Sequence, residues 1–433
     1  MESIFQMPKV VIKNTLWLFS EKIVLMSCGL ILSVICARIL GSNTFGNYSF
    51  LIALTAFIVP LSSFGLNSLL VKEQCGLKKD VDVIYSTAFY IRSAGAIFCT
   101  LSVGLIIFLS DLQLEIKIAG IIFTLTYIFS GFQVAVFFYQ GKQLNKQIAS
   151  VRMGIISIFL ILKLPLLFVY AKLEYLLIAM ALETLVLFLA YSFALRNKNV
   201  NVSLKYFDTS YALSLIKKSV WLFLSGITAI LYLKIDQIML MKFMGPSEVG
   251  IYAVASKISE VWYFFPEAFM AAVFPVILQK RGSDVVRTLQ TCLDFLVITA
   301  VVLIFVILAF GDQLITILYG KDYLASIPIL KLHIIGCLFV FTRAVVSKWL
   351  IMNDFYKYSL VSHGFGALIN IVLNIFLIPS HGGMGAALST VISYAFASFF
   401  VFAFLSPARK IFKQQFSAYL LIPTLGYRYW RRN

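Results

Sequence analysis

Long apolar segments recur along the whole chain and are separated by short polar connections. A bilayer core about 30 Å thick requires roughly 20 helical residues, so each apolar segment of that length predicts a transmembrane helix. The pattern therefore predicts an all-α integral membrane protein. No connection is long enough for a soluble catalytic or nucleotide-binding module. Twelve spans are expected, at residues 14–38, 46–71, 83–109, 113–139, 150–170, 174–195, 218–242, 250–278, 290–318, 327–352, 358–379 and 384–407.

One motif occurs twice, as RILGSNTFGNY from Arg38 to Tyr48 and as KFMGPSEVGIY from Lys242 to Tyr252, at an offset of 204 residues. A duplication of this length predicts two six-helix lobes related by a parallel repeat. The glycines and tyrosines of the motif are expected to shape the turns into the second helix of each lobe. The predicted parts are an N-terminal lobe at 1–195, a cytoplasmic linker at 196–217, a C-terminal lobe at 218–407 and a basic cytoplasmic tail at 408–433.

Composition supports the membrane assignment, because 61% of the residues are hydrophobic and the mean hydropathy is +0.94. A water-soluble globule of 433 residues cannot bury that much apolar surface. The six cysteines are scattered and do not cluster with histidines, so neither a disulfide framework nor a metal site is expected.

Charge gives the predicted orientation. The chain has 36 Lys and Arg against 19 Asp and Glu. With the N-terminus inside, the inner connections hold 23 of the basic residues and the outer ones 4, which predicts that both termini are cytoplasmic. An anionic inner leaflet explains this basic charge, so no nucleic-acid partner is needed.

Charges inside the predicted spans are the candidate functional residues, because a charge at bilayer depth costs about 3 kcal/mol or more. Lys257, Glu260, Phe264 and Glu267 follow the helical spacing i, i+3, i+7 and i+10 and should share one face. Pro266 should kink this helix, and Pro60 lies near the equivalent position of the first lobe. Paired broken helices point to a midplane binding site. An internal ion pair that fixes packing is the alternative.

Other buried charges are concentrated in the second lobe. A shift of 204 residues places Leu32 at the position equivalent to Asp236. This asymmetry fits a site where one lobe carries ion-coupling carboxylates and both lobes supply cations to an anionic ligand. The alternative is that the asymmetry reflects sequence drift at positions that serve only packing. The remaining candidates are Lys234, Asp236, Asp294, Arg343 and Lys348 in the second lobe, and Glu21 and Arg92 in the first.

Five segments together resemble a known family. They are ARILGSNTFGNYSF, KFMGPSEVGIYAVASKI, KIDQIML at 234–240, LYGKDYLASIPILKL at 318–332 and NIVLNIFLIPSHGGMGAALSTVISY at 370–394. In order and spacing they resemble the polysaccharide-biosynthesis flippases of the multidrug/oligosaccharidyl-lipid/polysaccharide exporter (MOP) superfamily, the Wzx-type O-antigen flippases in particular. The resemblance implies a MATE/MOP-like fold in the bacterial inner membrane. It also implies an undecaprenyl-pyrophosphate-linked oligosaccharide substrate, moved from the cytoplasmic to the periplasmic leaflet.

That task requires a wet, cationic cavity for the pyrophosphate, while the polyprenyl tail can stay in lipid. The expected cationic lining is Arg92, Lys234, Lys257, Arg343 and Lys348. The candidates for coupling to a proton or a sodium ion are Glu21, Asp236, Glu260, Glu267 and Asp294. No other cofactor and no enzymatic activity are expected, and other polysaccharide-assembly membrane proteins are possible partners. Three alternatives stay open: a drug or metabolite antiporter of the same superfamily, a polysaccharide polymerase or ligase, and a flippase for another lipid-linked glycan.

Overall fold

The computed structural model describes residues 9–76 and 79–421. Every regular element in these ranges is helical, which confirms the predicted all-α fold. The described residues up to Lys234 form one compact unit and those from Ile235 onward form a second. We refer to them as the N-terminal and C-terminal units.

The N-terminal unit is built from eight helices and the first part of a ninth. Helices α5 and α6 are joined by a 3-10 segment at Thr126–Gln133, so the predicted span 113–139 is helical throughout but changes its pitch. The helices are α1 Lys9–Thr55, α2 Ile58–Ser62, α3 Leu66–Gly76, α4 Val81–Leu109, α5 Leu114–Leu125, α6 Val134–Gly141, α7 Asn145–Tyr170, α8 Leu173–Arg196 and α9 Thr209–Met244.

The C-terminal unit contains the rest of α9 and eight further helices. Short 3-10 turns at Val261–Tyr263 and Ile334–Gly336 divide two of its spans, and a π-helical turn at Phe396–Phe400 follows α15. The helices are α10 Pro246–Glu260, α11 Phe264–Gln279, α12 Ser283–Leu318, α13 Ser326–His333, α14 Cys337–Met352, α15 Tyr356–Ala395, α16 Val401–Phe404 and α17 Arg409–Tyr419. The predicted basic tail is thus helical at its start, and residues 422–433 lie outside the described ranges.

Ten helical segments within the described residues are long and apolar enough to cross a membrane, which makes the chain a multi-pass membrane protein. Two of them, Leu16–Ser62 and Lys357–Phe404, each cover two of the predicted spans. In each case one glycine with non-helical backbone angles, Gly41 or Gly382, lies between those spans. The count of twelve helices and the two-lobe repeat stay predictions.

The twin motif has the same backbone at its first glycine in both copies. Gly41 has φ 72° and ψ 171°, and Gly245 has φ 85° and ψ −179°. This region of backbone space is accessible essentially to glycine alone. Both glycines turn the chain at the start of the motif, where the sequence predicts a turn into the next helix.

The connection predicted as a linker between lobes packs against α4 of the N-terminal unit. The backbone N–H of Asn201 donates to Asp82 Oδ1 at 2.9 Å, and that of Ser203 donates to Ser86 Oγ at 3.1 Å. Asp208 caps α9 by accepting from the Tyr211 N–H at 2.9 Å, so this helix begins well before the predicted residue 218. The two compact units meet in sequence at Lys234 and Ile235, inside α9, and the predicted lobe boundaries stay a prediction.

Candidate functional site

Asp236 lies at the centre of a buried polar cluster in the C-terminal unit. It is 2% exposed and comes from α9. Its Oδ2 accepts from the Tyr252 hydroxyl of α10 at 2.8 Å and from the Thr390 hydroxyl of α15 at 2.5 Å. Its Oδ1 accepts from Asn374 Nδ2, also on α15, at 2.6 Å. Asn374 and Thr390 lie on opposite sides of Gly382, so the cluster joins three helices and both parts of α15.

The residues around this cluster supply further neutral oxygen atoms. Asn374 Nδ2 also donates to Asn370 Oδ1 at 3.1 Å, and Asn370 Nδ2 donates to Ser393 Oγ at 3.4 Å. Asn374 Oδ1 is buried and has no hydrogen-bond partner among the described residues. A buried acceptor without a donor costs about 1–3 kcal/mol. A bound ion would remove that cost.

No basic side chain bonds to Asp236 in the part of the chain that the structure describes; the partners are hydroxyl and amide groups. An ionised carboxylate buried without a counter-charge is strongly unfavourable. The group must therefore be protonated or be neutralised by a bound cation. One carboxylate with amide and hydroxyl oxygens is a hard, singly charged donor set, which suits a proton or a sodium ion. Within the described ranges no cluster of three His, Cys, Asp or Glu residues could hold a metal ion.

The other predicted coupling carboxylates have different surroundings. Glu21 forms an ion pair with Arg152, with 2.9 Å between Oε1 and Nη1. Asp294 is buried, and its Oδ1 accepts from Gln290 Nε2 at 2.7 Å. Glu260 is half-buried and Glu267 is exposed. The structure does not bring these carboxylates together with Asp236, and their coupling roles stay predictions.

The five predicted basic residues differ in exposure. Arg92 is 0% exposed, and its guanidinium donates to Asn67 Oδ1 at 2.7 Å and to Gln133 Oε1 at 2.9 Å. Lys257 is exposed, and Lys234 is half-buried.

The two basic candidates of α14 also differ. Arg343 is 6% exposed and donates to the Ala397 carbonyl at 3.3 Å, within the π-helical turn. It also contacts His363 Nε2 at 3.1 Å. Lys348 is half-buried, with its Nζ 5.8 Å from the centre of the Phe274 ring. The three lysines are thus more accessible than the two arginines, whose charges are held inside their own units.

Both predicted proline kinks lie just after a break in the helix. The 3-10 turn Val261–Tyr263 separates α10 from α11 and precedes Pro266, which cannot donate to the carbonyl one turn back. Residues 56 and 57 form a turn between α1 and α2, and Pro60 lies in α2. The four residues from Lys257 to Glu267 thus span two helices rather than one.

The N-terminal unit contains a cavity of about 670 Å³ that sequence reasoning did not find. Tyr48 and Leu32, the positions equivalent to Tyr252 and Asp236, lie in its wall. A buried ion pair between Lys163 and Glu183 also lines it. The sequence did contain a signal for this cavity, because Lys163 and Glu183 lie near the middle of two neighbouring predicted spans. The Asp236 cluster also had a signal, since Asn370 and Asn374 are one helical turn apart in an apolar segment.

Comparison with known proteins places this geometry in context. Residues 11–280 match the family described as polysaccharide biosynthesis protein, and residues 222–376 match the MatE family. A probable low-salt glycan biosynthesis flippase, Agl15, from Haloferax volcanii is 22% identical over 45% of this chain and 42% of its own length. A probable flippase, AglR, from the same organism is 28% identical over 46% of this chain and 43% of its own. The match thus covers less than half the length of each relative.

Two solved structures have a similar fold. Lipid II flippase MurJ, in an inward closed conformation, aligns with a TM-score of 0.70 and 17% identity over 95% of this chain and 92% of that one. An inward-facing multidrug resistance MATE family transporter of the MOP superfamily aligns with a TM-score of 0.61 and 16% identity, over 92% and 96%. At these identities the likeness shows the fold, which confirms the expected MATE/MOP-like class.

Proposed function

Because the chain belongs to the polysaccharide biosynthesis protein family, we propose that it is an ion-coupled flippase for a lipid-linked oligosaccharide. Relatives whose names include glycan biosynthesis flippase and flippase support this proposal. The specific substrate that we propose is an O-antigen repeat unit linked to undecaprenyl pyrophosphate. It would move from the cytoplasmic to the periplasmic leaflet of a bacterial inner membrane, with both termini of the protein in the cytoplasm.

The observation that carries the proposal is the cage of neutral donors around Asp236. A carboxylate that is 2% exposed and held by Tyr252, Asn374 and Thr390 changes its charge when it binds or releases a proton or sodium ion. A flippase that concentrates its substrate on one side needs such a group, because the ion gradient supplies the free energy. The cage therefore supports coupling at this position in preference to Glu21, which already has a basic partner.

The cage also suggests how ion binding could change the conformation. Its members lie on α9, α10 and both parts of α15, so an ion bound there holds these helices together. Loss of the ion leaves an uncompensated buried charge, which favours an arrangement in which water reaches Asp236. An ion can shift such an equilibrium only by its difference in affinity for the two arrangements. Coupling follows if the glycan head favours the opposite arrangement.

The diphosphate of the substrate needs cations that it can reach. We assign this role to Lys234, Lys257 and Lys348, since their side chains are exposed or half-buried. The guanidinium groups of Arg92 and Arg343 are 0% and 6% exposed and are held by contacts inside their units. We therefore infer that these two arginines position helices. Lys257→Gln should lower export several-fold, and Arg343→Lys should instead lower the stability of the C-terminal unit.

Genetic complementation tests the proposal. In a strain that lacks the gene and has no substitute flippase, lipid-linked glycan should accumulate on the cytoplasmic leaflet and surface polysaccharide should be lost. Wild-type protein should restore export, and Asp236→Asn should not, at equal protein level in the membrane. Asp294→Asn is the matched control, because it alters a buried carboxylate of the same unit that has an amide partner. Normal surface polysaccharide in the deletion strain would contradict the proposal.

A cation-coupled small-molecule antiporter is the second candidate. The MatE family match over residues 222–376 and the MATE-like fold favour it. The same Asp236 cage could serve either function, so the substrate decides between them. Efflux of organic cations from cells or vesicles, with no effect of gene deletion on surface polysaccharide, would support the antiporter.

A further inference from the structure

The cavity of the N-terminal unit is lined by the Lys163–Glu183 ion pair, by Arg152 and by a group of aromatic side chains. We propose that this cavity binds neutral saccharide units of the glycan head, separately from any contact with the diphosphate. The inference rests on the proposed flippase function, because it assigns part of that substrate to this site.

The charged groups lie at two levels along one side of α7. Arg152 and Lys163 are eleven residues apart, which places them about 16 Å apart along the helix axis and on nearly the same face. Both line the cavity. Each has an acidic partner on another helix: Arg152 pairs with Glu21 of α1, and Lys163 pairs with Glu183 of α8. Arg152, Lys163 and Glu183 line the cavity, whereas Glu21 lies outside the lining and balances the charge of Arg152 at 2.9 Å. The four groups together have no net charge, so the cavity has charged groups at two levels without a net attraction for an ion of either sign.

The charged groups in the cavity lining have hydrogen-bond donors and acceptors that the ion pairs do not use. Arg152 uses Nη1 for Glu21, and a guanidinium has five N–H donors in all. The ammonium of Lys163 has three donors and each carboxylate has about four acceptor positions. Thr184 also faces the cavity. These donors and acceptors lie at two levels along the cavity. A ligand that carries many hydroxyls can form hydrogen bonds with both levels.

Aromatic side chains also line the cavity, and Tyr48 and Tyr127 are the more exposed of them, since Phe123 and Phe188 are each 2% exposed. The rings of Phe123 and Tyr127 meet edge to face with centroids 5.6 Å apart, and those of Tyr127 and Phe188 meet at 6.2 Å. All three residues and Tyr48 line the cavity. A pyranose ring has an apolar C–H face and a rim of hydroxyls, so it can contact the tyrosine rings and the charged groups of the same cavity. A volume of about 670 Å³ lies within the range of small-ligand sites.

Two other ligand classes fit less well. A diphosphate would bring about two negative charges into a largely apolar cavity whose own charges cancel, and its desolvation would not be repaid. The charge of Arg92 does not change this balance, because Arg92 is 0% exposed and the Gln133 amide lies between it and the cavity. A lipid chain would leave the spare donors of Arg152 and Lys163 without water or partner. A neutral saccharide satisfies both the charges and the rings.

Cys28 gives the cavity a native reporter, because it lines the wall and is half-buried. The test uses the full-length chain with the other five cysteines replaced, purified in detergent, and measures the rate at which a methanethiosulfonate reagent labels Cys28. The probes are neutral trisaccharides of glucose, galactose and N-acetylglucosamine, and inorganic pyrophosphate at matched ionic strength. A trisaccharide present at ten times its Kd should slow labelling about 11-fold, and pyrophosphate should leave the rate unchanged. Equal labelling with and without every sugar, or protection by pyrophosphate alone, would overturn the proposal.

The Glu183→Gln variant tests the role of the Lys163–Glu183 ion pair in the same labelling experiment. The amide keeps the size of the side chain but leaves Lys163 without its counter-charge. The Kd of the trisaccharide, measured from its protection of Cys28, should rise about ten-fold. Pyrophosphate should now slow the labelling of Cys28. Asp312→Asn is the matched control, since it removes the carboxylate from the Lys331–Asp312 pair of the other unit, where Nζ and Oδ1 are 2.6 Å apart. This control should label and be protected like the parent. If Glu183→Gln does not fold, Thr184→Val tests the same wall, and its protection by trisaccharide should weaken.

The labelling of Cys28 measures sugar binding, and genetic complementation measures transport. Export of lipid-linked glycan with no sugar protection at Cys28 would refute the cavity assignment and leave the flippase intact. Absence of export in complementation would refute the flippase, whatever the labelling result.

Discussion

Replacing Asp236 by asparagine tests the ion site most directly, because the change removes the charge and keeps the shape of the side chain. In the wild-type protein a proton or sodium ion should stabilise the C-terminal unit by neutralising this carboxylate. In the Asp236→Asn variant that dependence should disappear. The variant should still fold, so the loss can be measured on intact protein.

The expected cost of the substitution follows from the hydrogen bonds. Asp236→Ala would leave three buried donors without their acceptor, at about 1–3 kcal/mol each. Two of these donors have other acceptors nearby: the Tyr252 hydroxyl lies 3.4 Å from Thr390 Oγ1, and Thr390 Oγ1 also bonds to the Ala386 carbonyl at 2.9 Å. The net cost of alanine is therefore about 2–4 kcal/mol. Asparagine keeps one carbonyl oxygen, and both hydroxyls can rotate to accept from its amide, so its cost is about 1 kcal/mol.

Thermal unfolding of the purified protein, followed over a range of sodium concentrations and pH values, is the assay. An ion at 100 times its Kd stabilises the state that binds it by about 2.7 kcal/mol, which raises the unfolding midpoint by a few degrees. The wild-type protein should show this rise with sodium, or with acidification if the ion is a proton. Asp236→Asn should show neither, and Asp294→Asn should keep the wild-type response. An undiminished response in Asp236→Asn would refute the assignment of the ion site.

The remaining predictions concern the backbone and the surface. Gly245→Ala should destabilise the protein by about 1–2 kcal/mol, because φ 85° is strained for any residue with a Cβ. Gly104→Ala, in a helix with no atom within 4 Å of the added Cβ, should be neutral or stabilising in the same thermal assay. Lys79 donates to Asp208 and holds the pKa of that carboxyl well below its ordinary value of 3.8. The pair therefore stabilises the fold above about pH 4, and this contribution is lost as the pH falls through the lower folded pKa. Asp208→Asn should be less stable than wild type at neutral pH, and acid titration of unfolding should show the two curves converging at low pH.

Periodicity predicted the helical fold well, because apolar windows report burial in lipid whatever their packing partners are. It also placed breaks between predicted spans where the structure has the non-helical glycines Gly41 and Gly382. The start of α9 was placed too late. The polar residues before 218 suggested a linker, whereas Asp208 and its cap begin the helix there.

The proposed ion site around Asp236 could be predicted from the sequence only in part. Sequence identified Asp236 as a buried carboxylate, but its environment depends on Asn374 and Thr390, which are 138 and 154 residues away. Local spacing favoured Lys257, Glu260 and Glu267 instead, because three charges shared a helical period. The 3-10 turn at Val261–Tyr263 interrupts that period. Tyr252, which was expected to shape the turn into the next helix, also donates to Asp236.

The charged groups beside the N-terminal cavity and the carboxylate of Asp236 have different partners, and this difference argues for a division of roles between the two units. In the N-terminal unit, the basic groups Arg152 and Lys163 beside the cavity each have a carboxylate partner, so the electrostatic balance there does not change when a neutral ligand enters. In the C-terminal unit the partners of Asp236 are hydroxyl and amide groups, so the proposed ion would supply the counter-charge that these partners lack. The position equivalent to Asp236 in the first copy of the repeat is Leu32, which cannot bind an ion at all. Ion coupling should therefore reside in the second unit, and substitutions in the N-terminal cavity should change which glycan is exported while leaving the sodium or pH dependence of export unchanged.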